Sequence, residues 1–211
     1  MNNKLIVILI VLTTIGMASC SDEKSMCPDD NHPHMIDLGL PNGTKWACCN
    51  VGAAVPQESG GYYAWGETKV KSSYNTHNYE YPGYIGDISG TEYDVAYSQW
   101  GSQWCMPTVE QIYELLVNTE HKWTTYQGVN GYKFTGSNGE SIFIPAAGYI
   151  TDSRMLANEV GFLWSSMRDD LDDDKGMIRY SKYLDIRKID ASVSITPIEA
   201  ALNVRPVSNN K

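Results

Sequence analysis

The sequence is short of basic residues and of charge in general. Only 19% of its 211 residues are charged, and 16 lysines and arginines stand against 25 aspartates and glutamates, for a net charge of −9. An acidic surface repels phosphate backbones, so nucleic acid is a poor partner. The 42% of hydrophobic residues, set against this low charge, excludes an intrinsically disordered chain and is enough for one domain.

Long hydrophobic runs are also absent, except at the amino terminus. There Lys4 precedes an apolar core over residues 5–12, and small residues lead to Cys20. This order is typical of a secretory signal, and the core is too short to span a membrane comfortably. The segment Met17-Ala18-Ser19-Cys20 resembles the bacterial lipobox, which implies a signal peptide over residues 1–19 and a diacylglycerol on the Cys20 sulfur. The alternative is a plain secretory signal.

A lipid on Cys20 is expected to be the only membrane anchor. Two or more acyl chains hold a protein stably, because each buried methylene contributes about 0.8 kcal/mol. The next residues, Ser21-Asp22-Glu23, resemble the acidic export signal of surface lipoproteins in the Bacteroides group. This resemblance implies a lipoprotein of the outer membrane that faces the cell exterior. The alternative is a solvated acidic tether.

Residues 20–35 are polar and predict a lipidated linker in front of a single domain over residues 36–208. Within the linker, His32 and His34 form a His-x-His pair. A metal site needs further ligands that are held rigidly, and the linker offers none nearby. We therefore interpret both as solvated histidines and predict no metal site there.

Besides Cys20, the cysteines are Cys27, Cys48, Cys49 and Cys105. An exported chain folds in an oxidising space, and four cysteines allow three disulfide connectivities. Cys48 and Cys49 are adjacent in a predicted strand, so their side chains are expected on opposite faces. We favour a Cys27–Cys48 disulfide that fastens the linker to the domain. Cys49 and Cys105 then either pair or remain buried thiols.

Short strands separated by Gly, Asn and Pro predict an α+β domain of antiparallel strands, two helices and long irregular loops. The firmest element is a hairpin that turns at Asn138-Gly139, because these residues tolerate the positive φ of a tight reversal. Thr108 and Gln111 form a capping box for a helix over residues 109–117. The other predicted elements are strands over 45–50, 62–65, 132–135, 141–144, 162–165, 177–184 and 201–207, a helix over 92–99 and a loop over 68–89.

Several motifs follow one another in a characteristic order. They include Ile36-Asp37-Leu38-Gly39-Leu40-Pro41-Asn42-Gly43, Gly60-Gly61-Tyr62-Tyr63-Ala64-Trp65-Gly66-Glu67, Trp104-Cys105-Met106-Pro107-Thr108, Ile144-Pro145-Ala146-Ala147-Gly148-Tyr149, Leu163-Trp164-Ser165-Ser166 and Val204-Arg205-Pro206-Val207. In this order they resemble the Fibrobacter succinogenes major paralogous domain family, over residues 36–207. The resemblance implies a C-type-lectin-like fold, related in shape to the formylglycine-generating enzymes.

The motif residues themselves indicate a scaffold. Formylglycine-generating chemistry needs two close thiols late in the domain to hold copper, and no cysteine follows Cys105, so we predict no enzyme. Glu67 and Asp37 are expected as buried carboxylates that bind backbone donors or an arginine such as Arg205; a catalytic carboxylate pair is the alternative. Large aromatic rings dominate core energetics, which predicts core positions for the motif tryptophans Trp46, Trp65, Trp104 and Trp164.

An acidic segment lies between two predicted strands. Calcium takes six to eight oxygen ligands and suits such clusters. However, the spacing is not that of an EF-hand, and the calcium motifs of C-type lectins are missing. We favour a solvated turn and no cofactor, with calcium as the alternative; its ligands would be Asp169, Asp170, Asp172, Asp173 and Asp174.

Residues 167–188 also carry tyrosines and arginines, which are typical interface anchors. In related lectin-like variable proteins the corresponding strands and loops form the exposed binding face. The alternative is an ordinary amphipathic strand pair. The resemblance implies ligand contacts from Arg168, Asp169, Asp172, Arg179, Tyr180, Tyr183 and Arg187.

These features predict a surface-exposed lipoprotein that acts as a non-catalytic binding or adhesion module for an extracellular glycan or protein. A structural subunit of a surface or fimbria-like assembly is the second hypothesis. A concave aromatic groove would favour a glycan, whereas a flat apolar patch of several hundred Å² would favour protein assembly.

Overall fold

In the computed structural model of the chain, the described residues are 27, 29, 31–80, 86–152, 154–155, 159–169 and 179–208. Their helices are α1 (Val95–Trp100) and α2 (Val109–Asn118). The α+β class is confirmed. The strands are β1 (Met35–Asp37), β2 (Lys45–Ala47), β3 (Tyr63–Ala64), β4 (Trp104–Cys105), β5 (Glu120–Tyr126), β6 (Val129–Thr135), β7 (Ser141–Pro145), β8 (Ile150–Thr151), β9 (Arg154–Met155), β10 (Val160–Arg168), β11 (Tyr180–Arg187), β12 (Ala191–Pro197), β13 (Ala201–Leu202) and β14 (Val207–Ser208).

The described strands form small antiparallel sheets. Their orders are β1-β2-β14-β4, β10-β11-β12, β3-β13-β8-β9 and β5-β6-β7. Strand β14 pairs with β2, and β13 pairs with β3. The last described strands, β13 and β14, therefore pair with two of the first strands, β3 and β2.

The two local sequence signals with a clear mechanism are confirmed. Strand β6 pairs with β7 in register from Gly131–Pro145 to Thr135–Ser141, and Gly139 in the turn has a φ of 84°. The side chain of Thr108 accepts a hydrogen bond from the Gln111 N–H at 3.3 Å. In return, the Gln111 side-chain oxygen accepts from the Thr108 N–H at 2.9 Å. No helix within the described ranges is long and apolar enough to cross a membrane.

Other boundaries differ from the prediction. Helix α1 begins at Val95 rather than at residue 92, because Asp94 is its N-cap and accepts from the N–H groups of Ala96 at 2.8 Å and Tyr97 at 3.2 Å. Strand β2 ends at Ala47 because the chain bends at the next two residues. Strands β5 and β12 lie outside the predicted strands. The half-buried, largely polar sequence of β5 lacks a clear apolar alternation, whereas β12 does alternate, with Ala191, Val193 and Ile195 separated by Ser192 and Ser194.

The four motif tryptophans lie in the core, as predicted, with exposed fractions of 0 to 6%. Two of them hold neighbouring segments together. The indole N–H of Trp65, which follows β3, donates to the Ser165 carbonyl at 2.9 Å. The indole N–H of Trp164, on β10, donates to the Tyr63 carbonyl at 2.8 Å. These reciprocal bonds fix β3 against β10.

We expect the Thr108→Ala variant to lower the free energy of unfolding by about 1 kcal/mol, because it leaves an N–H of the first helical turn without its acceptor. Urea unfolding of the full chain, followed by tryptophan fluorescence, measures the loss. Thr108→Ser keeps the hydroxyl and is the control. An alanine variant as stable as the serine variant would show that the box contributes nothing.

Candidate functional site

The predicted binding face on β10 and β11 is only partly exposed. Arg168 and Tyr183 have exposed fractions of 6% and 5%, so the expectation that they lie on an open face is wrong. Strand β11 is the central strand of its sheet, and both of its faces are largely covered. The Tyr183 ring packs against Phe162 with 4.6 Å between the ring centroids.

The remaining described residues of this face stay predictions. Arg187 is exposed, and its Nε donates to both carboxylate oxygens of Asp185 at 3.0 Å. Asp169 is half-buried and lies 3.5 Å from the Lys182 amine. Arg179 and Tyr180 are half-buried. Outside the described residues lie the lipid-attachment candidate Cys20, the ligand candidate Asp172 and the other calcium candidates, Asp170, Asp173 and Asp174.

A different region of the domain forms an open cleft of about 510 Å³. It lies between the segment that follows β3 and the segment that precedes α1. Its outer residues are exposed and carry both signs of charge. The lining residues are Gly66, Glu67, Thr68, Lys69, Val70, Lys71, Glu80, Glu92 and Tyr93.

The floor of the cleft is a buried ion pair. The Glu67 side chain is 8% exposed, and the Lys71 amine lies 2.8 Å from one of its oxygens and 2.6 Å from the other. The Glu80 N–H donates to the same carboxylate at 2.7 Å. Glu67 is therefore a buried carboxylate with a backbone donor, as predicted, and its cationic partner is Lys71 rather than Arg205. The prediction for Asp37 is wrong, because its side chain is 57% exposed.

A second cluster brings together Cys27, His32, His34 and Cys48. One potential ligand atom from each of these residues lies within 4.8 Å of the others. The Cys48 sulfur is 3.2 Å from His32 Nδ1 and 3.8 Å from His34 Nδ1. The expectation of solvated histidines without further ligands nearby is wrong: both rings are half-buried against the two cysteines.

The β1–β2 ladder explains why these residues meet. Met35 is paired with Ala47, and the ladder continues outward because the Cys48 N–H donates to the His34 carbonyl at 3.0 Å. The His34 N–H in turn donates to the Cys48 sulfur at 3.2 Å. A histidine before β1 and a cysteine after β2 are thus held side by side by backbone bonds.

Asp29 supports the cluster from outside. Its carboxylate lies 2.9 Å from His34 Nε2, which leaves Nδ1 of the same ring directed at Cys48. Burial acts to lower the pKa of His34, but the hydrogen bonds with Cys48 and Asp29 outweigh it and raise the pKa overall. The ring is therefore oriented by a carboxylate on one side and a sulfur on the other.

The cysteines near the cluster are buried, and none of the four described ones is disulfide-bonded. Thiol hydrogen bonds from Cys27 and Cys49 hold the pKa of Cys48 far below its ordinary value. The thiols of Cys27 and Cys49 each donate a hydrogen bond to Cys48, and this raises the pKa of both. The expectation that Cys48 and Cys49 face apart is wrong, because they lie in a bend and not in a strand. Cys105 is buried near the Val207 carbonyl.

No protein-family model, curated protein or solved structure matches this chain. The cleft and the cysteine–histidine cluster are therefore the features from which a function can be inferred.

Arg205 lies next to the cysteine–histidine cluster and is completely buried. Its guanidinium donates to the carbonyls of Ala47 at 3.1 Å, Cys48 at 2.7 Å and Phe143 at 2.9 Å, and to the Asn50 side chain at 2.8 Å. Burial lowers its pKa to about 10, and the neighbouring cysteine sulfurs act in the opposite direction. The same side chain therefore fixes the position of Cys48 and adds positive charge near the sulfurs.

Proposed function

We propose that the protein is a non-catalytic module that binds an extracellular glycan. In this proposal a lipid on Cys20 holds it at the outer membrane, facing the cell exterior, and its α+β domain has a C-type-lectin-like fold. The cleft beside β3 is the binding site. The observation that carries the proposal is the combination of an open polar cleft with a half-buried tyrosine, Tyr93, in its wall.

The chemistry of the cleft favours a neutral ligand rich in hydroxyl groups. Lys69 and Glu92 are exposed at its rim, so a ligand there meets both a cationic hydrogen-bond donor and an anionic acceptor. A purely anionic or cationic ligand would meet repulsion from one of the two signs. Tyr93 lines the wall of the cleft, and an aromatic ring there suits the C–H side of a sugar. A few polar groups around such a surface are the usual composition of a ligand site.

The floor of the cleft supports a binding role over a catalytic one. The Glu67 carboxylate is neutralised by Lys71 and fixed by the Glu80 N–H. The carboxylate oxygens are thus already held by groups of the protein itself, whereas a catalytic acid or base must be within reach of the substrate. The absence of cysteine after Cys105 argues against formylglycine-generating chemistry.

The proposal is tested by applying the fluorescently labelled full chain to glycan arrays and to arrays of mucins and other extracellular proteins. Each array is run once with calcium and once with chelator. We expect retention on glycans in both conditions. Binding that is lost with chelator would place the ligand at a calcium site and contradict the cleft. No glycan retention, together with oligomers in light scattering, would favour a structural subunit instead.

We expect Tyr93→Ala to weaken binding to the strongest array glycan by about tenfold, which corresponds to about 1.4 kcal/mol. The expected cause is loss of the ring face at the cleft wall. Titration calorimetry with that glycan measures the change. Tyr113→Ala, on the exposed side of α2, is the matched control and should bind as the wild type does. Equal affinities for all three proteins would exclude the cleft as the site.

A further inference from the structure

We propose that Cys27, His32, His34 and Cys48 bind one Zn²⁺ ion, and that this ion fastens the segment before β1 to the domain. The inference is independent of glycan binding, because it rests on a different group of side chains. The ion has a structural role, since all four coordination positions are taken by protein side chains.

The donor set is the first argument. Two thiolates and two imidazoles around one centre are typical of tetrahedral zinc. With Zn–S distances near 2.3 Å and Zn–N distances near 2.0–2.1 Å, neighbouring sulfur and nitrogen ligands are about 3.6 Å apart. The observed distances from the Cys48 sulfur, 3.2 Å to His32 and 3.8 Å to His34, lie on either side of this value. No two of the potential ligand atoms are more than 4.8 Å apart, so a closure of at most about 1.5 Å brings every pair to tetrahedral distances.

The outer contacts are the second argument. A histidine that ligates zinc usually donates its other ring N–H to a carboxylate, which fixes the tautomer and the orientation of the ring. Asp29 stands in this position, 2.9 Å from His34 Nε2. The His34 N–H bond to the Cys48 sulfur is a further contact that stabilises a thiolate ligand.

Burial and charge are the third argument. Cys27 and Cys48 have exposed fractions of 8% and 1%, and the side chain of His34 is 18% exposed. As zinc ligands both cysteines are thiolates, so the site holds two negative charges in a buried place. A divalent ion balances both, and each cysteine thiol that is not already ionised releases its proton on binding.

A Cys27–Cys48 disulfide is the competing state of the same pair. It would account for the proximity of the two sulfurs, but not for the convergence of two imidazoles on them or for the carboxylate behind His34. Zinc accounts for all of these contacts with one ion.

The metal content of the purified full chain, measured by mass spectrometry of the elements, tests the proposal. We expect one zinc per chain, and one Co²⁺ per chain after exchange. Cobalt bound in this way should show the visible absorption of a tetrahedral site with sulfur ligands. A Cys27–Cys48 disulfide found in non-reduced peptides, or a chain that binds no zinc after reduction, would overturn the proposal.

Asp29→Asn gives a milder test, because this side chain is 64% exposed and surface substitutions usually change stability little. Mutation of such an outer partner typically lowers metal affinity 10- to 100-fold, and because asparagine keeps an acceptor but not the charge we expect a change near the lower end of this range for Zn²⁺, measured by competition with a chelator. Asp37→Asn, an exposed carboxylate on β1, is the matched control and should leave the affinity unchanged. Equal affinity for both variants would contradict the proposed geometry.

Discussion

Replacing Arg205 by methionine is expected to lower the free energy of unfolding by about 3–5 kcal/mol. The guanidinium is fully buried and donates to the carbonyls of Ala47, Cys48 and Phe143. These acceptors belong to the backbone and remain when the side chain is replaced. A buried acceptor that loses its donor costs about 1–3 kcal/mol. Methionine fills similar volume, so the loss reports the lost hydrogen bonds rather than a cavity.

Urea unfolding of the full chain at neutral pH measures this effect. Arg187→Met is the matched control: Arg187 is an exposed arginine whose ion-pair partner is the carboxylate of Asp185, so its loss leaves no backbone acceptor unpaired and should cost less than the loss at position 205. If the methionine variant does not fold, Arg205→Lys keeps the charge without the planar fork and should recover only part of the stability. A loss at position 205 no greater than at position 187 would contradict the role of Arg205.

Trp164→Ala is expected to cost about 3–5 kcal/mol of unfolding free energy, the usual range for a fully buried tryptophan. The side chain is completely buried and contacts the Tyr183 ring edge-on, with 6.4 Å between centroids. Its indole N–H is the donor to the Tyr63 carbonyl that connects β10 with β3. The substitution therefore removes both core volume and a bond between two sheets.

Substitution by phenylalanine separates these two contributions. Trp164→Phe keeps an aromatic ring but leaves the Tyr63 carbonyl without its donor, for an expected loss of about 1–3 kcal/mol. Trp123→Phe, on the half-buried strand β5, is the control and should change stability by less than about 1 kcal/mol. Denaturant unfolding followed by circular dichroism is the measurement, because it does not depend on the tryptophan that is removed. Equal losses at the two positions would contradict the importance of the β3–β10 connection.

Elements that depend on a few neighbouring residues could be predicted from the sequence. The hairpin at Asn138-Gly139 and the box of Thr108 and Gln111 are of this kind, and the structure has both. Burial across several strands could not be predicted in the same way. Tyr183 is covered because its ring packs against Phe162 and Trp164 in the core, and contacts of this kind are not visible in a single strand's sequence.

The cysteine–histidine cluster shows the same limit. His34 and Cys48 are separated by 13 residues and meet only because β1 and β2 pair. A usable signal was nevertheless present. The expected contact between Cys27 and Cys48 places any residue soon after Cys27 near Cys48, and His32 is among them. Combining these two inferences would have predicted the cluster.

X-ray absorption at the zinc edge of the purified full chain tests the metal site most directly. The proposed site predicts two sulfur neighbours at about 2.3 Å and two nitrogen neighbours at about 2.0–2.1 Å. The Asp29→Asn variant should keep this set of ligands when it is saturated with zinc. A zinc shell that contains only nitrogen and oxygen, or a chain that carries no zinc at all, would contradict the binding of the amino-terminal segment through Cys27 and Cys48.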